Sequence, residues 1–368
     1  MTVVLACGDV AAARADCERL FVGCRDALRS ADLSIAQLEA PISDRGSKVP
    51  NARLAMRSPV ALARTMRDAG IDLVSCAGNH CLDFGYEALG DTLRHLREAG
   101  VRPCGAGETL DSALEPSYFA ADGARVAVIA ACSILPEGYA AEPRKPGCAP
   151  LRAFTVYEPI EPDQPGTPPR TQSFAHRGDL AALAQRIRTA RAAADWVLVS
   201  LHWGIHMEPF TLADYQRSAA RALIDAGADA ILGHHPHLLK GIELYRGRPV
   251  FYSLGNFAIE QPHRWDPTIL QAPSFRHLIS LHPEWDLTRQ YMLPENTRPT
   301  GLAKLVLGAD GSMQCRFCPA WIDDESAPVM LRASDPRFAR VRAFLQESCR
   351  AAGLGTRFEV LDDELVLS

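Results

Sequence analysis

Polar residues that could bind a metal ion follow five separate apolar runs of this chain. Each run has the length of a short buried strand, and the polar side chain comes where the run ends. In open α/β sheets, binding sites form at the carboxyl ends of the strands. We therefore expect these side chains to converge on one site. They are Asp9, Glu39, Asn79 with the adjacent His80, His202, and His235 with His237.

The ligand types in this set are carboxylate, amide and imidazole, without a pair of thiolates. That mixture suits Mn²⁺, Fe or Zn²⁺ better than Ca²⁺. Asp9 and Glu39 supply negative charge for one ion, or for two ions about 3.5–4 Å apart as in two-metal hydrolytic sites. One carboxylate can bridge two such ions, and metal-activated water is then the nucleophile.

Each of these motifs alone has a simpler explanation. A Gly-Asn-His triplet can be a turn, and a histidine at a strand end is often hydrogen-bonded for structural reasons. An aspartate after a first strand is commonly a helix cap. The five motifs together, in this order and at this edge, favour a metal centre.

The elements that must position these side chains alternate between strands and helices. The pattern predicts strands at 3–7, 33–38, 71–76, 125–131, 196–201, 228–232 and 249–253. It predicts a helix that ends at about 29 and further helices at 59–69, 86–99, 180–193 and 215–226. Gly70 and Gly227 follow two of these helices, where glycine readily adopts the left-handed conformation that ends a helix. Strands joined through helices imply an α/β fold with a largely parallel sheet covered on both faces.

The rest of the chain departs from this rhythm. Residues 1–260 form the predicted core, with a proline-rich surface insertion at about 142–170. Residues 261–300 read as a loop or lid, and such long loops are usually functional or disordered; this segment carries His263, Trp265, His277, His282 and Trp285. Residues 301–368 are expected to complete the same domain with a hairpin (302–307 and 313–321), a helix at 337–351 and a strand at 358–367.

Composition limits the partners and the compartment. A net charge of −5 and a pI near 6.1 give no reason to expect nucleic acid or an anionic membrane as partner. The apolar runs fall well short of the roughly 20 residues that a membrane helix needs. The eleven cysteines are scattered and no secretory signal precedes them, so we expect a soluble cytoplasmic protein. Its expected partner is a small-molecule or peptide substrate. Composition does not indicate the oligomeric state.

The motifs resemble the CapA family, whose members are named for poly-γ-glutamate capsule biosynthesis and are related to calcineurin-like metallophosphoesterases. The resemblance covers about residues 3–260 and implies a four-layer α/β/β/α sandwich of the metallophosphoesterase type. It is carried by Gly8-Asp9, Leu38-Glu39, Gly78-Asn79-His80 with Leu82-Asp83-Phe84-Gly85, His202-Trp203-Gly204, Gly233-His234-His235-Pro236-His237 and Tyr252-Ser253-Leu254-Gly255-Asn256-Phe257.

The resemblance also implies roles for these residues. Asp9 and His237 would bind a first metal ion, Glu39 would bridge, and Asn79, His202 and His235 would bind a second ion. His80 stands where related phosphoesterases place the acid that protonates the leaving group, and imidazole can give or take a proton at neutral pH. Asp83 either orients His80 or caps the following helix, with the cap preferred. Asn256 is expected to contact substrate.

Two positions depart from the family pattern, Ala11 and His206, and one residue of a matching motif, His234, is left out of the site for a different reason. Ala11 replaces the histidine of the usual Asp-x-His motif, so the first metal site lacks one ligand and a single ion becomes an alternative to two. His206 replaces a common glutamate and is a further ligand, a substrate contact or a plain surface histidine. His234 is excluded from the site, because an extended segment would point it away from His235. The membrane anchor of capsule-complex members is expected to be absent.

Three functions follow from this reading. The first is a metal-dependent hydrolase that acts on a phosphoester or on an amide or γ-glutamyl peptide bond. The second is a metal-assisted peptide epimerase, with His80 and Asp9 on one side of the substrate and His235 on the other. The third is a non-catalytic component that binds poly-γ-glutamate during its biosynthesis.

Overall fold

A computed structural model describes residues 1–52, 54–261 and 267–368. The strands are β1 (Thr2–Ala11), β2 (Leu33–Leu38), β3 (Leu73–Ser75), β4 (Arg102–Cys104), β5 (Ala106–Gly107), β6 (Ser117–Ala121), β7 (Ala124–Cys132), β8 (Gly147–Cys148), β9 (Ala153–Glu158), β10 (Arg170–Ala175), β11 (Trp196–His202), β12 (Ala230–His234), β13 (Ile242–Tyr245), β14 (Arg248–Phe251), β15 (Asn256–Ile259), β16 (Pro299–Leu307), β17 (Met313–Ile322), β18 (Pro328–Met330), β19 (Phe358–Leu361) and β20 (Glu364–Leu367). The helices are α1 (Arg25–Arg29), α2 (Ala61–Ala69), α3 (Gly85–Ala99), α4 (Leu110–Ala113), α5 (Arg177–Arg191), α6 (Asp214–Asp225), α7 (Pro267–Gln271), α8 (Pro273–Leu281) and α9 (Pro336–Ala351), with 3₁₀ helices at Cys17–Phe21 and Glu295–Thr297.

The strands form two main sheets. The first has the order β19-β20-β17-β16-β1-β2-β3-β4, with β15 beside the end of β1 and β18 beside β17. Its strands β1 to β4 run parallel, whereas β16, β17 and β20 run antiparallel. The second sheet has the order β13-β14-β12-β11-β7-β6, with a parallel centre and antiparallel edges.

The side chains of β7 show how the layers stack. Val126, Val128 and Ala130 join the core that contains the first sheet. The alternate residues Ala127 and Ile129 face the opposite way, into a core that contains the buried side chains of α5 and α6. Strand residues alternate between the two faces of a sheet, so the second sheet lies between the first sheet and these helices.

Helices α2 and α3 cover the first sheet. In α3, Leu89, Leu93 and Leu96 are buried on one stripe, as a helix that packs by one face requires. Helix α2 ends at Gly70, whose φ of +103° is the predicted left-handed cap. The α/β/β/α sandwich is confirmed, and β16 and β17 form the predicted hairpin. The antiparallel pairing of β16 with β1 and the antiparallel edges of the second sheet were not predicted from the sequence pattern.

Four segments differ from their predicted form. The helix expected before residue 30 is a 3₁₀ turn followed by the short α1, and the strand expected at 358–367 is the β19–β20 hairpin with Asp362 at φ +54°. The 142–170 insertion contains β8 and β9 and leads into β10. The described part of the 261–300 segment, expected to be a loop or lid, contains α7, α8 and a 3₁₀ turn. Its residues His263 and Trp265 lie outside the described residues.

Among the residues that the structure describes, none of the helices combines the length and the apolar character needed to cross a membrane.

Candidate metal centre

The two sheets bring their strand ends together at one place. The first sheet supplies Asp9 from β1, Glu39 directly after β2, and Asn79 and His80 from the turn after β3. The second sheet supplies the last residues of β11 and β12, His202 and His234, and the segment that follows β12. Asp9, Glu39 and His202 each offer a ligand atom within 4.8 Å of the other two. The expected convergence across distant segments is therefore present.

Two buried carboxylates lie at the centre of this cluster. One Asp9 oxygen, Oδ2, is 3.5 Å from His237 Nδ1. Glu39 Oε1 is 3.9 Å from His237 Nε2, and Glu39 Oε2 is 3.8 Å from His202 Nδ1. Each carboxylate oxygen of Glu39 thus has an imidazole nitrogen from the second sheet within 4 Å.

Asn79 and His202 meet across the two sheets. The Asn79 Oδ1 atom lies 2.6 Å from His202 Nε2. His202 stacks obliquely on His235, with ring centroids 5.0 Å apart. The three residues that were expected to share one ion are therefore neighbours.

The segment after β12 is not extended, and this corrects the exclusion of His234. His235 has φ of +94° and His237 has φ of +57°, in the left-handed region that non-glycine residues seldom adopt. This backbone breaks the alternation of side chains, so His234 does not point away. Its Nδ1 atom is 3.4 Å from Asp9 Oδ1, while the backbone N–H of His235 donates to Asp9 Oδ2 at 3.4 Å.

His80 is held by Asp83, and the preference for a helix cap was wrong. The N-cap residue of α3 is Phe84. The Asp83 carboxylate instead bonds His80 Nδ1 through Oδ2 at 2.7 Å, and it accepts bonds from Met56 N–H at 2.7 Å and from the Tyr139 hydroxyl at 2.9 Å. Three partners fix the carboxylate, so His80 is oriented with Nε2 toward Glu39 Oε1, 3.8 Å away.

His206 and Asn256 have different positions. His206 is exposed, and its ring centroid is 5.3 Å from that of His235 and 5.2 Å from that of His237. Asn256 is buried, with Oδ1 2.7 Å from His237 Nδ1 and Nδ2 3.4 Å from the Tyr291 hydroxyl. The expected substrate contact of Asn256 needs correction, because its side chain is used to orient His237.

A close backbone approach explains why β1 begins its ligand motif with glycine. The Asp9 N–H donates to the carbonyl of Gly255 at 3.0 Å. A Cβ atom on Gly8 would collide with that same carbonyl. The glycine therefore allows β1 to approach the start of β15 closely, and this pairing fixes the position of the Asp9 backbone in the site.

The donor atoms fit a divalent cation. Six buried side-chain atoms at the site lack a hydrogen-bond partner within the described residues: Asp9 Oδ1, both carboxylate oxygens of Glu39, and Nδ1 of His202, His234 and His235. Buried polar atoms are normally hydrogen-bonded, and a buried charge needs a partner. The ion pairs of Asp9 and Glu39 that the structure describes involve only imidazoles.

The electrostatics lead to the same conclusion. Burial, together with the charges of Asp9 and Asp83, raises the pKa of Glu39 well above its usual range. Burial lowers the pKa of His202 to about 3 and lowers that of His235 as well. Neutral imidazoles keep the lone pair that a metal ligand needs, and a dication would offset the unfavourable burial of two adjacent carboxylates.

A cleft of about 810 Å³ opens above the cluster. Asn79, His80, His206, His235 and His237 line its floor, and side chains from 50–52, 54, 56, 134–137 and 269–293 form its walls. Its volume lies within the range of about 300–1,000 Å³ typical of ligand pockets. Three of the candidate ligands, Asn79, His235 and His237, thus face a space that a substrate can enter.

Sequence reasoning missed two contributors, His234 and Tyr139. His234 was visible as a third histidine in the segment but was dismissed through the assumption of an extended backbone. Tyr139 comes from a stretch without periodicity, and only the folded chain brings it to Asp83, 56 residues away in sequence. The structure otherwise brings the predicted metal ligands into one cluster, of which Asn79, His235 and His237 line the cleft.

Known proteins resemble this chain at two levels. The PGA biosynthesis protein CapA of Bacillus subtilis (strain 168) is 29% identical over 235 residues, covering 63% of this chain and 54% of that protein. The uncharacterized protein y4sH of Sinorhizobium fredii is 32% identical, covering 62% and 59%. The chain therefore spans little more than half the length of these relatives.

A solved structure and a family profile complete the comparison. The calcineurin-like phosphoesterase YfkN from Bacillus subtilis aligns with a TM-score of 0.39 at 13% identity, over 95% of this chain and 96% of that one. The profile described as "Bacterial capsule synthesis protein PGA_cap" matches residues 3–261, well over half of the sequence. The predicted resemblance to CapA is confirmed, and the chain belongs to the PGA_cap family of bacterial capsule synthesis proteins.

Proposed function

We propose that this protein is a metal-dependent hydrolase that cleaves a phosphoester bond or an amide bond such as a γ-glutamyl peptide bond. The observation that carries the proposal is the set of unpartnered buried ligand atoms beneath a cleft, with the His80–Asp83 pair beside it. The amide option draws on the name of the B. subtilis relative, which refers to PGA biosynthesis.

The residues that would hold the cation are those of the cluster: Asp9, Glu39, Asn79, His202, His235 and His237, with His234 as a further nitrogen donor near Asp9. A divalent cation of the Mn²⁺, Fe or Zn²⁺ type would lower the pKa of bound water and polarise the oxygen of the bond to be cleaved. Because Ala11 offers no ligand on the Asp9 side, a single ion fits the proposal as well as two ions do.

His80 would supply the proton for the leaving group. Its Nδ1 is bonded to Asp83, which leaves Nε2 to exchange a proton with a group in the cleft. In the overall reaction, water gives its OH to the acyl carbon or phosphorus. The second hydrogen goes to the departing amine or alcohol.

Metal dependence and the His80→Ala variant test the proposal together. Hydrolysis of phosphoesters or γ-glutamyl peptides should disappear with a chelator and return with Mn²⁺ or Zn²⁺. His80→Ala should lower turnover by about 10²- to 10⁴-fold, while elemental analysis finds the metal content unchanged. Hydrolysis that persists in the metal-free protein would contradict the proposal.

Peptide epimerisation is a second candidate, favoured by one observation. His206 is exposed in the same cleft as His80, so two imidazoles face the space that a peptide would occupy. Proton exchange at a Cα atom needs groups that give and take a proton. Deuterium uptake from solvent into a peptide that remains uncleaved would select this reaction over hydrolysis.

A further inference from the structure

One wall of the cleft is apolar and has no part in the chemistry proposed above. It is built from five side chains: Met56, Met207, Phe275, Leu278 and Trp285. Met56 and Met207 belong to a small apolar core on which Leu278 and Trp285 pack. The Phe275 and Trp285 rings lie together with centroids 5.3 Å apart. The wall is therefore a supported surface and not a set of scattered apolar residues.

The charge of the lining is also informative. Among the described residues of the cleft, the lining contains the carboxylates Asp83 and Glu137 and no Lys or Arg. Recognition of carboxylate or phosphate groups along a chain usually relies on Arg or Lys. The described lining formed by Met56, Met207, Phe275, Leu278 and Trp285 is complementary to an uncharged, apolar group.

We infer that the substrate presents an aromatic or branched aliphatic side chain to this wall, next to the bond that the metal centre acts on. The inference rests on the proposed function and narrows its substrate class to a peptide or amide with apolar side chains. An acidic γ-glutamyl chain is a poor match for the same surface, because its carboxylates would lose their hydration and gain only apolar contacts, which is unfavourable for a charged group.

The test is a binding measurement with three matched peptides. The full chain, loaded with Mn²⁺, is titrated by calorimetry with N-acetyl-Phe-Leu-amide, N-acetyl-Gly-Gly-amide and N-acetyl-Glu-Glu-amide. The three share one backbone and differ only in their side chains. We expect the Phe-Leu peptide to bind about tenfold or more tightly than the other two, because a single methylene in an apolar pocket already contributes about tenfold. Equal or tighter binding of the Gly-Gly or Glu-Glu peptide, or no measurable binding of the Phe-Leu peptide, would overturn the inference.

Two variants test whether this wall is responsible. Leu278→Lys places a charge on the wall and should weaken binding of the Phe-Leu peptide by about tenfold. Leu270→Lys is the matched control, because Leu270 is 40% exposed on the neighbouring helix α7 and does not line the cleft. Unchanged Phe-Leu affinity in a folded Leu278→Lys protein would also overturn the inference. Trp285→Ala is a second test of the wall, because it removes apolar contact area instead of adding a charge and should likewise weaken binding of the Phe-Leu peptide.

Hydrolysis is measured separately, so that the two ideas fail in different ways. Chelator-sensitive cleavage of γ-glutamyl peptides without preferential Phe-Leu binding would keep the proposed function and remove the apolar substrate. Preferential Phe-Leu binding without any chelator-sensitive cleavage would keep the apolar cleft and remove the hydrolase.

Discussion

The two sheets contribute to the site in different ways. The first sheet supplies mainly oxygen atoms, from Asp9, Glu39 and Asn79, on strands and turns that follow the regular alternation. The second sheet supplies imidazole nitrogens, partly from a segment with left-handed backbone at His235 and His237. The oxygen side provides the negative charge that a dication needs. On the nitrogen side, the orientation of the His235 and His237 rings depends on the left-handed backbone at these residues. The hydrogen bond with Asn256 also orients the His237 ring.

Glu39→Gln should have the largest effect on metal binding and turnover, because it removes negative charge from the oxygen side of the site. We expect bound metal to be lost and turnover to fall on the order of 10³-fold, since the cation supplies several kcal/mol of stabilisation in the transition state. The metal-free variant should melt at a higher temperature than the metal-free wild type, because a buried carboxylate without a compensating partner is gone. Elemental analysis, kinetics and thermal unfolding measure the three effects.

His202→Ala is the control on the nitrogen side. It should also lose metal, but the metal-free protein should melt at a lower temperature, since a buried side chain is deleted. If both variants shift the melting temperature of the metal-free protein in the same direction, the contrast between the sheets would be wrong.

Asn256→Ala should have the next largest effect, through His237. The Asn256 Oδ1 atom orients the His237 ring, and removal of a residue that orients a metal ligand typically weakens metal affinity by about 10- to 100-fold. Competition with a fluorescent chelator measures that change. Excess metal should restore turnover in this variant, whereas a residue that contacts substrate would leave the metal affinity unchanged and raise KM.

The contrast between regular and irregular backbone also decides what could be predicted from sequence. Asp9, Glu39 and Asn79 follow strands whose apolar pattern is clear, so their convergence follows from the rule for strand ends. The exclusion of His234 came from a different rule, the alternation of side chains along an extended chain, and that rule failed because His235 lies at φ +94°. The β16–β17 hairpin is local and could be predicted, whereas the antiparallel pairing of β16 with β1 joins distant strands, which local patterns do not encode.

Asp83 illustrates a second limit. An aspartate just before a helix is a common cap, and the local sequence is compatible with that role. The competing partners, Met56 N–H and the Tyr139 hydroxyl, come from other parts of the chain. Tertiary contacts thus decided between two local alternatives that the sequence left open.

Tyr139→Phe should lower turnover less than Asn256→Ala does. It acts through Asp83 and His80, which belong to the first-sheet part of the site. The variant removes one hydrogen bond to Asp83 while His80 and the metal ligands stay in place, so we expect turnover to fall by at most about tenfold. Metal affinity should not change, because Tyr139 contacts the carboxylate that orients His80 and not a metal ligand. A loss of metal in Tyr139→Phe would show that the hydroxyl supports the whole cluster.

Backbone strain at His235 gives the smallest expected effect and the sharpest contrast between regular and irregular ligands. At φ +94° glycine is favoured over alanine, so His235→Gly should be more stable to unfolding than His235→Ala by about 1 kcal/mol or more. His202 lies in the ladder of β11, where glycine costs about 0.5–1 kcal/mol relative to alanine. His202→Gly should therefore be less stable than His202→Ala. Denaturant unfolding of the four metal-free variants tests this reversal of sign, and the same order at both positions would mean that His235 stores no strain.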